Sequence, residues 1–138
     1  MRDVPVVWGP KLGSYTARAV SPDYALGAHT ASLGLTFYDG GAFPARYQGG
    51  AIVGQHGSWN RKPANGYKVI FVPFAAGMPS GPAEDLLTGF LNAKGEALGR
   101  PVGVAVDTSG AVLVADDVGN VIWRVTSAAV PATKASAP

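Results

Sequence analysis

The chain has 138 residues, enough for one compact domain with a buried core. A hydrophobic share of 47% against 14% charged residues marks a folded chain and excludes a disordered one. The formal charge of +2 comes from scattered basic residues that follow no stripe, so no nucleic-acid partner is expected, and the lack of cysteine excludes disulfides and thiolate sites.

The opening Met1-Arg2-Asp3-Val4-Pro5 leads into no long apolar stretch, so neither a signal peptide nor a membrane span is expected. Nineteen glycines and eleven prolines favour many short strands joined by tight turns. Residues 1–24 read as an incoming segment, in which Tyr15-Thr16-Ala17-Arg18-Ala19-Val20 alternates like an outer strand left from a preceding unit.

From residue 25 the chain repeats itself. Leu33-Gly34-Leu35-Thr36-Phe37-Tyr38-Asp39-Gly40 resembles Val102-Gly103-Val104-Ala105-Val106-Asp107, 69 positions later. Ala51-Ile52-Val53-Gly54 resembles Ala111-Val112-Leu113-Val114 at an offset of 60. Val69-Ile70-Phe71 resembles Val121-Ile122-Trp123 at an offset of 52. Order is kept while the connections shrink, and each segment is an apolar run bounded by turn residues, as strands are.

The first strand of each unit sets small residues between bulky ones, as a strand crowded on one face requires. The innermost strand of a propeller blade meets that condition. Asn65-Gly66 before Tyr67 reads as a hairpin turn, because both residues tolerate positive φ. Leu86-Leu87-Thr88-Gly89-Phe90-Leu91 is expected as the outer strand of the first unit; Pro82-Ala83-Glu84-Asp85 opens a short helix in the other reading. The second unit has no outer strand of its own, Trp123 reads as core, and residues 127–138 read as a disordered tail. The predicted fold is all-β, a β-propeller portion of about two blades spanning 25–92 and 93–126. Such a pair leaves strand edges unpaired.

Other chemistries find little support. No phosphate loop ends in Gly-Lys-Ser/Thr, no Gly-x-Gly-x-x-Gly opens a helix, and no Gly-x-Ser-x-Gly elbow offers a nucleophile. His29 and His56 lack a third ligand in zinc spacing. Asp116 and Asp117, before Gly119-Asn120, read as closing a turn more readily than as holding a metal. His29, just before an inner strand, reads either as facing the channel or as packing and capping.

Three segments carry a family resemblance: Pro22-Asp23-Tyr24-Ala25-Leu26-Gly27-Ala28-His29-Thr30-Ala31, Gly54-Gln55-His56-Gly57-Ser58-Trp59-Asn60-Arg61, and Gly99-Arg100-Pro101-Val102-Gly103-Val104-Ala105-Val106-Asp107. Over residues 22–126 the chain resembles the last blades of sorbosone dehydrogenase-like proteins, which are similar to the soluble quinoprotein glucose and aldose sugar dehydrogenases. The resemblance implies a six-bladed propeller with pyrroloquinoline quinone (PQQ) over one end of the channel and an assisting calcium ion. It also implies a periplasmic location and hydride transfer from a sugar to the quinone, with the cofactor supplying the redox chemistry. An early-blade histidine base and the calcium loop have no counterpart in this chain, so no catalytic residue is assigned and activity alone is not expected.

Carried over, Arg100 falls where the glucose enzymes place a cofactor-binding arginine, whose guanidinium suits a polyanion. The companion arginine of that pair is replaced by Val102. His56 falls where those enzymes place a cofactor-contacting lysine, and Trp59, Asn60 and Arg61 rim the channel mouth in an extended loop. The other reading is a non-catalytic propeller-derived binding or structural module, self-associating into a homo-oligomeric ring.

Overall fold

The computed structural model describes residues 18–128, and the described part is all-β apart from one 3₁₀ turn at Ala45–Tyr47. Its strands are β1 (Ser32–Phe37), β2 (Ala51–Gln55), β3 (Lys68–Val72), β4 (Phe74–Ala75), β5 (Met78–Pro79), β6 (Glu84–Leu87), β7 (Pro101–Val106), β8 (Val112–Asp116) and β9 (Val121–Val125). They form a four-stranded sheet in the order β1-β2-β3-β6, a three-stranded sheet in the order β7-β8-β9, and the small β4-β5 hairpin. All pairings are antiparallel. No described helix is long and apolar enough to cross a membrane.

Register decides which side chains meet, because side chains alternate between faces. Leu35 lies opposite Val53, and Val53 opposite Ile70, so one face of the first sheet carries Leu33, Leu35, Phe37, Val53 and Ile70. The other face carries Gly34, Thr36, Ile52, Gly54, Val69 and Phe71. In the second sheet Val104 lies opposite Val114 and Val106 opposite Val112. These valines pack against Ile52, Val69 and Phe71 of the first sheet to make the main core, with Tyr38 buried at one end. Burying each of these large apolar side chains contributes about 1.5–3 kcal/mol. A second cluster of Ala51, Val53, Ile70 and Val72 lies under Tyr24, Leu26 and Phe74 on the far face of the first sheet.

The two sheets approach most closely where β1 faces β7. A Cβ on Gly34 would strike the Val102 carbonyl oxygen and lie 2.9 Å from Gly103 Cα, which is why this position is glycine. Gly54 serves the same contact, its Cβ position being 2.6 Å from the Val102 oxygen.

The repeat is present with a correction to its register. Leu35 and Val104 are equivalent at the expected offset, but Val53 pairs with Leu35 as Val114 pairs with Val104. The second strands are therefore offset by 61 positions and not 60. Ile70 opposite Val53 corresponds to Trp123 opposite Val114, an offset of 53 and not 52. Both Val53 and Leu113 are apolar, so matching residue types could not detect the slip, although it exchanges the two faces.

Four further expectations are corrected. Asn65-Gly66 does not close a two-residue hairpin: β2 ends at Gln55 and β3 begins at Lys68, so the pair ends a long loop, with Gly66 at φ 83°. The strand expected at 86–91 runs over Glu84–Leu87, and the short-helix reading of Pro82–Asp85 fails because Glu84 and Asp85 pair with Phe71 and Ile70. The β4-β5 hairpin was not foreseen; Ala76 and Gly77 both take positive φ in its two-residue turn. Trp123 is 48% exposed and not core, because β9 is the edge of its sheet. Most of the strand expected at 15–20 lies outside the described residues, and Arg18–Val20 are not in a strand. The tail reading likewise falls almost wholly outside them.

Tyr38 ties the far ends of the two sheets. Its buried hydroxyl donates to the Gly110 carbonyl at 2.8 Å and accepts from Phe43 N–H at 2.9 Å. Tyr38→Phe leaves both backbone groups unpaired and is expected to destabilise by about 1–3 kcal/mol. Urea unfolding should show a lower midpoint with an unchanged slope, whereas an unmoved midpoint would show that solvent replaces the hydroxyl.

Candidate functional site

At the opposite end from Tyr38, β2 and β8 terminate and β1 and β7 begin. His56 directly follows β2, Arg100 directly precedes β7, and Asp117 directly follows β8. The close contact between the sheets therefore brings three polar residues, distant in sequence, to one end.

The Arg100 guanidinium is the centre of this group. Its Nη2 donates to Tyr67 Oη at 2.9 Å, and its Cζ stands 4.7 Å from the centroid of the Tyr67 ring. Nη1 fans toward His56 Nδ1 at 3.3 Å and the carbonyl oxygens of His56 and Gly57, each at 3.4 Å. Arginine has only donors, so Nδ1 of His56 accepts and its Nε2 carries the proton. That Nε2–H faces the Asp117 carboxylate at 3.0 Å. The result is a relay of arginine, imidazole and carboxylate with one defined tautomer.

Local backbone fixes these side chains. Gly57 takes φ 96° and lies flat under the Tyr67 ring, where a Cβ would collide with the ring carbons. Tyr67 Oη donates to the Ser58 carbonyl. Ser58 N–H donates to Asn65 O at 2.8 Å, and Asn65 N–H returns a bond to Ser58 Oγ at 3.0 Å, which closes the base of the 56–67 loop.

Asp116 braces Arg100 from behind. Its Oδ1 accepts Arg100 N–H at 2.7 Å and Gly119 N–H at 2.9 Å, and its Oδ2 accepts the Trp123 indole N–H at 3.1 Å. Burial alone would raise its carboxyl. The backbone N–H groups of Arg100 and Gly119, the Trp123 indole and the Val118 N–H outweigh burial, and the group lies below its ordinary value. Asp116 thus closes a turn, as its sequence suggested.

Of the residues expected from sequence, His56 and Arg100 are brought into contact. Trp59, Asn60 and Arg61 stand exposed on the outer part of the same loop, Trp59 at 90% exposure. Among the described residues no hydrogen bond or ring contact joins these three to the Arg100–His56 pair. His29 is exposed at φ 61°. Sequence reasoning missed Tyr67 and Asp117 as partners in the cluster. Tyr67 was read only as the start of a strand, and Asp117 only as part of a turn.

Half-buried Arg100 supplies positive charge, and the proton on His56 Nε2 is the outward donor. This donor set fits an oxygen-rich anionic ring such as a quinone carboxylate, with the Asp117 carboxylate as its competitor for His56. Among the described residues no group of three or more His, Cys, Asp or Glu side chains gathers as a metal site.

Residues 14–128 match the TrAA12-like family. The chain belongs to that family. It is 38% identical over 103 residues to an uncharacterised protein of Borreliella burgdorferi, covering 74% of this chain and 27% of that protein. It is 42% identical over 66 residues to the pyrroloquinoline quinone-dependent pyranose dehydrogenase of Coprinopsis cinerea, covering 44% of this chain and 8% of the enzyme. The holo form of the PQQ domain of pyranose dehydrogenase from that organism superposes with a TM-score of 0.65 at 31% identity, covering 81% of this chain and 30% of the domain. The chain therefore spans under a third of each relative, and its two packed sheets are a portion of a β-propeller related to PQQ-dependent sugar oxidoreductases.

Proposed function

We propose that this chain is part of a PQQ-dependent oxidoreductase acting on pyranose or related sugars, and that it meets the cofactor through Arg100 and His56. The observation that carries this reading is their convergence at one end of the two-sheet stack, in a chain of the TrAA12-like family. When bound, the quinone supplies the hydride acceptor; the protein supplies position and charge. Arg100 balances the anion's charge, and Tyr67 and Asp116 hold it in place. His56 presents its Nε2 proton outward once Asp117 yields that bond. Trp59, Asn60 and Arg61 are assigned to the rim, reached by movement of the exposed loop. Calcium and the proton-abstracting base would come from residues beyond those described, and a periplasmic location is part of the same proposal, supported by the family resemblance alone.

Calorimetric titration of the chain with PQQ in the presence of calcium tests this reading. Arg100→Ala and His56→Ala are each expected to weaken binding about tenfold, equivalent to about 1.4 kcal/mol. Asp117→Asn removes the competing negative charge and is expected to tighten binding severalfold. Equal affinity in all three variants would remove these residues from the site.

A further inference from the structure

The bonds around His56 fix its protonation state as well as its position. Arg100 offers only donors, so the 3.3 Å approach of its Nη1 to His56 Nδ1 is a bond only while Nδ1 holds a lone pair. A second proton on the ring sets N–H against N–H at that contact and places two positive charges 3.3 Å apart. On the other side of the ring the effect is opposite. Nε2–H already faces the Asp117 carboxylate at 3.0 Å, and protonation turns that hydrogen bond into an ion pair.

Which partner yields follows from the bonds each would keep. Arg100 retains Tyr67 Oη at 2.9 Å and the face of the Tyr67 ring, and Tyr67 is buried. Among the described residues the His56 ring has no hydrogen bond besides those to Arg100 and Asp117, and the Asp117 side chain is half exposed and able to follow it. Protonation therefore draws the imidazole off Nη1 toward Asp117. Nη1 is left with two carbonyl oxygens at 3.4 Å, beyond the usual range of an N–H···O bond.

No other charged group contests this balance. Lys68, opposite Gln55 in the register, is engaged by Asp85 at 2.6 Å. Asp116 turns to backbone N–H groups and the Trp123 indole. The Ala31 carbonyl accepts His56 N–H at 2.9 Å, yet among the described residues neither Asp23 nor His29, in the same segment, bonds to the imidazole. Nor do Arg61 and Lys62, exposed on the loop that follows it.

We propose that His56 is a proton-controlled cap on Arg100. Neutral, it occupies Nη1 and offers an anion only Nε2–H. Protonated, it withdraws toward Asp117, and an oxyanion enters with its oxygen between Nη1–H and the new Nδ1–H. Anion affinity then rises as pH falls through the range in which histidine titrates, and by linkage each bound anion brings a proton to His56. The inference goes beyond the quinone reading, since it holds for any oxyanion, a quinone carboxylate included, and its test uses no quinone.

NMR on the isotope-labelled, full 138-residue chain, from about pH 8.5 to about pH 5.5, tests it. The chain has two histidines, and His29→Gln assigns the remaining imidazole to His56. The expected result is the Nε2–H tautomer of His56 at high pH, with the Arg100 guanidinium signals moving at the same midpoint as His56 and the Tyr67 ring signals staying in place. These wild-type signals decide the matter even if His56→Gln, which should abolish the movement at Arg100, lowers the melting temperature. Sulfate, whose charge is constant over this range, is then titrated at fixed ionic strength. Its affinity for the His29→Gln chain is expected to be about tenfold tighter at the acid end, and to lose that pH dependence when His56→Gln is added. Arg100 signals that ignore the His56 titration overturn the proposal, as does movement of the Tyr67 ring with them, because the arginine and not the imidazole would then have yielded. Sulfate affinity flat with pH, or no sulfate binding at the acid end, overturns it too. Absence of quinone binding with these results intact would sink the reading above and leave the cap standing.

Discussion

Gly34→Ala is expected to lower stability by about 2–3 kcal/mol, measured by denaturant unfolding in dilute solution. The added methyl meets backbone, not a side chain that can rotate away. It would clash with the Val102 carbonyl oxygen and lie 3.0 Å from Val104 N, so β7 as a whole must withdraw. Withdrawal loosens Val104 and Val106 from the core they share with Ile52 and Phe71. The matched control is Gly103→Ala, the same change at the equivalent position of the second sheet. That side is open, and no positive φ is needed there. Alanine at 103 is expected to be neutral, or to stabilise by up to about 1 kcal/mol through the unfolded state. If both alanines prove equally harmful, the glycines serve strand conformation and not the approach of the sheets. If only Gly34→Ala is harmful, the sheet junction is the cause.

That contrast marks what the sequence could and could not convey. Seven of the strands follow from short apolar runs between Gly, Pro and Asp, and the small residues of β1 announced close packing, whereas those of β7, Gly103 and Ala105, lie on an exposed face. Register is different information. Ala51-Ile52-Val53 aligns with Ala111-Val112-Leu113 by residue type, yet backbone pairing sets Val53 equivalent to Val114. Every residue in those runs is apolar, so no polar position betrays the one-residue error. The β4-β5 hairpin was hidden by its two-residue strands, which are too short to show alternation.

The candidate site divides in the same way. His56 and Arg100 were legible because each sits in an unusual local segment that resembles a known family. Their contact was not legible from spacing, since 44 positions separate them and the β2–β3 loop lies between. Tyr67 illustrates the limit best. It belongs to the site because Gly57 lets its ring lie flat and because Arg100 stacks over that ring. Neither fact is local in sequence.

Asp116→Ala is expected to be the most damaging single polar change, destabilising by about 3–5 kcal/mol. It leaves the Arg100 N–H, the Gly119 N–H and the Trp123 indole N–H without their shared acceptor, each worth about 1–3 kcal/mol if buried and unpaired. Asp116→Asn separates the contributions. The amide oxygen can still accept from Arg100 and Gly119, but its NH₂ then points at the indole N–H, donor against donor. Asn is therefore expected to recover more than half of the loss, and combining it with Trp123→Phe should show coupling of about 1 kcal/mol in a double-mutant cycle. The sign with pH follows from the lowered carboxyl. A group held below its ordinary value of 3.8 stabilises fully above that value and loses its contribution as pH falls below it. Wild-type stability should thus decline with acid below about pH 4, and Asp116→Asn should remove the share that Asp116 contributes while leaving that of Asp107, whose carboxyl the Ser109 hydroxyl also holds below its ordinary value. The consequence reaches the site, because Asp116 holds the backbone from which the Arg100 side chain reaches His56. Asp116→Asn, still folded, should leave the His56 imidazole signals in NMR unchanged, whereas Arg100→Ala should shift them by removing the donor to Nδ1. A matching shift in both variants would mean that the carboxylate's charge, and not its hydrogen bonds, positions the arginine.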